Sequence, residues 1–210
     1  MRGLRSAANS AAAFSVKWGM QEDTAQAIAC LRDADARVRE QAAWTLGLLG
    51  CPEAVAALIA VLHDDQPTVR EKAAWSLGMA GDGRAIEPLI AALDDRDPRV
   101  RERSAWALGL KGDARVVEPL LGRLDDDDAG VREQAAWALG LRGDRRAIEP
   151  LTLAAADRHP QVRDMAIWAI GMLNVDTDPT PDLAQLAPNL SFGEAVADAL
   201  RVIRTRRLDE

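Results

Sequence analysis

Tryptophan returns every 31 residues: Trp44, Trp75, Trp106, Trp137 and Trp168 each occupy the same position of a recurring block. The block reads REQAAWTLGLLG at 39–50, REKAAWSLGMAG at 70–81, RERSAWALGLKG at 101–112, REQAAWALGLRG at 132–143 and RDMAIWAIGMLN at 163–174. A period of about 20 to 50 residues marks a solenoid or array, in which a unit too small to bury its own apolar face shares a core with its neighbours. The chain has no tyrosine and two phenylalanines, so the use of five of its six tryptophans at one repeat position demands an explanation.

Residues 82–112 show what one unit is. Ala85, Ile86, Leu89, Ile90 and Leu93 recur at steps of three and four, which is a helical stripe. The run DDRDP then interrupts it, with Asp97 suited to an N-cap and Pro98 to a first helical position. A second helix follows, carrying Val100, Ala105, Leu108 and Leu110, and Gly112 is expected to end it. Pro88, Pro119 and Pro150 fall inside the first helices and are expected to bend them. The pattern predicts an all-α fold, a right-handed α-solenoid of stacked helix pairs, with five units over residues 20–174.

A degenerate half-unit, residues 1–19, is expected to cap the N-terminal end. Within it SAAAFSVKWG aligns with QAAWTLGLLG, placing Ala13 at the tryptophan position and Trp18 outside the ladder. After Asn174 the repeat is lost. Residues 175–210 read as an irregular proline-rich segment followed by an amphipathic helix with Ser191 and Glu194 in a capping-box arrangement, a C-terminal cap.

Composition narrows the function. Hydrophobic residues make up 48% and charged residues 28%, the balance of a folded, non-membrane protein. A net charge of −7 argues against a protein built to bind nucleic-acid phosphate. No apolar run reaches the roughly 18 residues that cross a bilayer, and the alanine-rich N-terminus is too polar for a signal peptide. Cys30 and Cys51 form neither a metal-ligand spacing nor a disulfide framework, so a reducing compartment, the cytoplasm, is expected.

The recurring elements resemble the HEAT-repeat group, specifically the short-repeat type found in phycobilin lyases. They are Gly81-Asp82, Glu87-Pro88-Leu89, Val100-Arg101 and Ala105 to Gly109, returning five times over about residues 19–173. Such repeats serve enzymes, lyase subunits and binding scaffolds alike, so the resemblance speaks to fold first. The di-iron deoxyhypusine hydroxylases of this group take ligands from His-Glu pairs at the start of second helices. Those positions fall here on Glu40-Gln41, Glu71-Lys72, Glu102-Arg103, Glu133-Gln134 and Asp164-Met165, without one histidine. That activity is excluded, and neither a metal nor another cofactor is expected. A lyase-like subunit binding an open-chain tetrapyrrole against the tryptophans is the enzymatic alternative.

A helical wheel places the tryptophans. With Ala42 at the centre of the core stripe of its second helix, Val38, Leu46 and Leu49 lie close to it, and Ala43 and Gly47 on a small-residue flank. Trp44 lies roughly 160° away. The resemblance implies that this strip lines the concave, partner-binding surface. Stacking gives an acidic column of Glu40, Glu71, Glu102, Glu133 and Asp164, and beside it Gln41, Lys72, Arg103, Gln134 and Met165. The tryptophans form the third column; Leu48, Met79, Leu110, Leu141 and Met172 form the fourth.

Two readings compete. In one, each ring lies on the next repeat and supplies packing alone. In the other, five partly exposed rings give roughly 500 Å² of apolar surface, a patch large enough to have a job. The expected function is a non-enzymatic scaffold gripping an extended or helical, basic segment of another protein, with Trp75, Trp106 and Trp137 as anchors. Self-association through the same columns, or occupation of the groove by the C-terminal tail, are further alternatives. The recurring Asp33, Asp64, Asp95, Asp126 and Asp157, with Arg39, Arg70, Arg101, Arg132 and Arg163, are expected to brace neighbouring pairs. The run Asp125 to Asp128 is expected to be a solvated turn and helix cap, lacking the other ligands of an EF-hand loop.

Overall fold

The computed structural model describes residues 20–173, which hold ten α-helices and no strand. Five long helices alternate with five shorter ones. The shorter are α1 (Met20–Cys30), α3 (Val55–Val61), α5 (Ile86–Ala92), α7 (Val117–Gly122) and α9 (Ile148–Ala154). The long ones are α2 (Ala36–Leu49), α4 (Pro67–Met79), α6 (Pro98–Gly109), α8 (Ala129–Arg142) and α10 (Pro160–Leu173). The expected caps, residues 1–19 with Trp18 and residues 175–210, lie outside the described residues.

Side-chain oxygens start the helices. Asp35, Asp97 and Asp128 accept from the backbone N–H groups of Arg37, Arg99 and Gly130 at the head of α2, α6 and α8. Each of α3, α5, α7 and α9 is led by a 3₁₀ turn, at Pro52–Ala54, Gly83–Ala85, Ala114–Val116 and Arg145–Ala147. Those turns correct one expectation. Pro88, Pro119 and Pro150 are the third residues of α5, α7 and α9. An N–H there has no partner inside the helix, so proline costs nothing and no bend is required.

Glycine in the left-handed region closes α2 at Gly50 (φ 60°) and α8 at Gly143 (φ 71°). The third unit departs from this and from expectation: α6 stops at Gly109 and Gly112 is not left-handed. Lys111 is buried instead, its ammonium donating to the carbonyl oxygens of Leu77 (2.7 Å) and Gly78 (3.2 Å) at the end of α4. Arg142 repeats the device one unit on, donating to the Lys111 carbonyl.

The core is continuous along the stack. Leu46, Leu58, Leu77, Leu89, Leu108, Leu120, Leu139, Leu151 and Ile170 are all fully buried between the layers. Neighbouring long helices approach closely along their lengths, whereas neighbouring short helices hardly do. Small residues explain the difference, since Ala43, Ala74, Ala105 and Ala136 are wholly buried on the long helices.

Charge ties each unit to the next. Arg39, Arg70, Arg101 and Arg132 form two-pronged pairs with Asp64, Asp95, Asp126 and Asp157, at 2.6–2.9 Å. Each of these arginines also donates to a carbonyl in its own turn, at Asp33, Asp64, Asp95 and Asp126 respectively. The aspartates additionally accept the N–H two residues on, from Gln66, Asp97, Asp128 and His159. The brace expected from sequence is therefore present in every described junction between units.

Candidate functional site on the long-helix face

The glycine column explains the tryptophan column. A Cβ built on Gly78 would meet Trp106 Cζ3 at 2.8 Å, on Gly109 Trp137 Cζ3 at 2.7 Å, and on Gly140 Trp168 Cζ3 at 2.9 Å. At Gly47 it would meet Trp75 Cζ3 at 2.6 Å and Ser76 Oγ at 2.5 Å. Each ring thus rests its edge on the glycine of the preceding unit, not on the next unit as the packing reading supposed. The long-helix sequence WxxG is a complementary pair: a knob for the unit before and a notch for the unit after.

The rings are not consumed by this contact. Trp75, Trp106, Trp137 and Trp168 are half-buried, and Trp44 is exposed. Alongside them Leu48, Met79, Leu110, Leu141 and Met172 are 37% to 57% exposed, the large apolar residues that a core would have taken. Glu40, Glu71, Glu102, Glu133 and Asp164 are half-buried on the other side of the rings. None of the residues of the expected groove is fully buried, although Trp106, Trp137 and Trp168 also pack against the core.

That face is electrically uneven. Lys72 pairs with Glu71 at 3.2 Å, and the Arg103 guanidinium lies over the Trp106 ring, 5.5 Å from its centre. Burial pushes the Glu102 carboxyl up; neighbouring Arg103 opposes this, while Asp128, Glu133 and Glu71 add to the rise. One oxygen of Asp164 is buried without a hydrogen-bond partner among the described residues.

A HEAT-repeat sequence profile matches residues 24–109 and again 86–171, which together span most of the chain. The chain belongs to the HEAT-repeat family. No curated protein sequence matches it. Among solved structures, the CpcE–CpcF complex of phycocyanin lyase from Nostoc sp. PCC7120 is 26% identical, with TM-score 0.68, covering 82% of this chain and 74% of that one. The Escherichia coli protein YibA is 20% identical, with TM-score 0.69, over 90% and 72% of the two chains. A designed armadillo repeat protein in complex with the peptide (KR)4 is 21% identical, with TM-score 0.59, over 83% and 88%. The last two are likenesses of fold.

Other chemistry is sparse in this HEAT-repeat chain. Among the described residues no group of three or more His, Cys, Asp or Glu is placed to hold a metal ion. His63 is exposed in one turn and His159 is half-buried in another, neither of them on the long-helix strip. Asp128 caps α8, Asp126 binds Arg101, and Asp125 and Asp127 are exposed, so the aspartate run is a turn and cap. Two surface cavities, of about 230 and 150 Å³, are lined by Ile28, Leu31 and Ala57 and by Leu121, Pro150 and Leu153. Both are built largely from short helices, away from the tryptophans. No described helix is long and apolar enough to cross a membrane.

Three features of the site escaped the sequence reading. The Arg103–Trp106 contact had a signal, a cation and a ring three residues apart on one helix. Asp128 acts on Glu102 across a repeat boundary, which no periodicity within a single unit reveals. Lys111 sits where its neighbours have alanine and arginine, Ala80 and Arg142, and its burial is a tertiary fact.

Proposed function

We propose that this chain is a non-enzymatic, cytoplasmic scaffold whose long-helix face takes an extended or helical basic segment of another protein. One observation carries the reading: five exposed Leu and Met side chains and five tryptophans run unbroken along a surface flanked by carboxylates. An apolar strip of that extent, rimmed by polar groups, is the form of a docking surface. The acids favour lysine or arginine in the partner, by charge pairing and by contact of cations with the ring faces.

The test is capture of partners by the native chain beside a Met79→Gln, Leu110→Gln, Leu141→Gln variant. Those side chains are exposed, so the variant keeps its core, whereas truncating the tryptophans would also empty the notches at the glycines. A protein retained by the native chain and lost by the variant, with binding that weakens in salt, supports the proposal. Equal retention by both places binding elsewhere.

The likeness to the CpcE–CpcF complex favours a second reading, a phycobilin lyase-like subunit. On this reading a tetrapyrrole lies on the open strip beside the tryptophans, since the cavities of about 230 and 150 Å³ are smaller than the roughly 300–1,000 Å³ of a drug-sized ligand's pocket and lie elsewhere. A shift of bilin absorbance on mixing would support this reading.

A further inference from the structure

The acid column is not uniformly available, and this fixes where along the strip a basic partner is held. In the second unit Glu71 is already paired with Lys72. In the third, Arg103 covers the Trp106 ring and lies beside Glu102. The centre of the strip therefore carries its own cations, one of them in the place that an incoming cation would take.

The fourth and fifth units differ. Gln134 and Met165 stand where Lys72 and Arg103 stood, so no cation of the strip neutralises Glu133 or Asp164. Neither acid forms an ion pair among the described residues. Asp164 keeps a buried oxygen with no donor, an arrangement that costs stability until a donor arrives. Asp128, at the head of α8, adds a further carboxylate to the fourth unit, near enough to influence Glu102. Trp137 and Trp168 lie one helical turn beyond Glu133 and Asp164, and thus on the same faces. The first unit offers a single acid, Glu40, beside Trp44 and Gln41.

Building on the docking role proposed above, we infer that the strip is polar. A lysine or arginine of the partner protein is received at the fourth and fifth units, between Glu133 and Asp164 and against Trp137 and Trp168. The apolar part of the same segment runs toward Leu110 and Met79. Units two and three, self-neutralised, select against a second cation there and so set the partner's direction along the groove.

The indole N–H resonances of the full chain, labelled with ¹⁵N-tryptophan and assigned through single Trp→Phe variants, report each unit separately. The probe is a synthetic octapeptide of alternating lysine and arginine. The expected result is movement of the Trp137 and Trp168 signals with those of Trp75 and Trp106 holding. Affinity should fall about tenfold in Glu133→Gln, Asp164→Asn and less than about twofold in Glu71→Gln.

Movement of Trp75 and Trp106 first, or an equal loss in Glu71→Gln, overturns the polarity and leaves the docking role standing. No movement of any indole at millimolar peptide overturns both. If Arg204→Ser, Arg206→Ser, Arg207→Ser shifts Trp137 and Trp168 without peptide, the occupant is the chain's own C-terminal segment. Shifts that depend on protein concentration alone make it a second copy. Either of these overturns the assignment to another protein.

Discussion

Replacing Gly47 with alanine tests the knob-and-notch account of the tryptophans most sharply. In an ordinary helix interior Gly→Ala stabilises by about 1 kcal/mol, because alanine restricts the unfolded backbone and suits the helix. At Gly47 the added methyl would sit 2.5 Å from Ser76 Oγ, 2.6 Å from Trp75 Cζ3 and 2.9 Å from the Ser76 Cα. The last is backbone, so α2 and α4 must separate. Overpacking of this kind costs about 2 kcal/mol. Ser76 would also lose the hydroxyl bond it donates to Ala43 O at 2.6 Å, about 1 kcal/mol more. After the helix-forming gain the net loss is about 2 kcal/mol, a fall in Tm of roughly 4–8 °C for a unit of this size.

The control is Gly122→Ala at the end of α7, where an added Cβ meets nothing within 4 Å. That change should raise Tm by about 2 °C. Adding Ser76→Ala to Gly47→Ala removes one of the three contacts and should recover part of the loss. Thermal melts followed by circular dichroism read all three. If Gly47→Ala melts at or above the native temperature, the rings are not seated on the glycines and the account fails.

Ser104 has a buried hydroxyl without a hydrogen-bond partner among the described residues, at a position where the other four units all carry alanine (Ala42, Ala73, Ala135 and Ala166), so Ser104→Ala should raise stability by about 1 kcal/mol in urea titration. Asp126→Asn breaks the two-pronged pair with Arg101 and should cost about 3 kcal/mol by the same assay. Burial raises the Asp64, Asp95 and Asp126 carboxyls, but the arginine forks and backbone N–H bonds outweigh it and hold them below the usual range; at Asp157 the Arg132 bond is the largest influence. A depressed native pKa gives stability that is full above the ordinary carboxylate value, about 4, and lost as pH falls through the lower native value, so melts between pH 5 and 2 should show a steep acid loss that Asp126→Asn flattens. Glu102 is shifted the other way, chiefly by burial, so its ionisation opposes folding; Glu102→Gln should raise Tm at pH 7 and leave it unchanged at about pH 3.

The helix pairs were legible because their signals are local and repeated. Asp97 with Pro98 and the stripe from Ala85 to Leu93 each specify geometry within a few residues, and five copies average out the exceptions. Gly112 misled because a C-terminal glycine closes a helix only if the helix runs that far, and α6 ends at Gly109 while Lys111 turns back to cap α4. Pro88 misled because the stripe does not distinguish a 3₁₀ lead-in from an α-helical turn. The outward direction of the tryptophans followed from 100° per residue. Their seating on the preceding unit did not, since a wheel gives a direction around one helix and says nothing of which neighbour stands there.

The two readings of the ladder cease to compete once the ring is divided into its parts. The six-membered edge of the indole fills the notch over a glycine at Trp75, Trp106, Trp137 and Trp168, and the remainder stays on the long-helix face. Trp44, on the first long helix of the described residues, is the exposed ring of the five. A side chain that sets the spacing between units also sets the spacing of the surface it presents. The interval between aromatic contacts is thereby fixed by the packing of α-helices, roughly 8–10 Å, and does not depend on what is bound. Specificity must then come from residues that packing leaves free to vary, and those are the ones beside the rings: Gln41, Lys72, Arg103, Gln134 and Met165 differ between units while Trp and Gly do not.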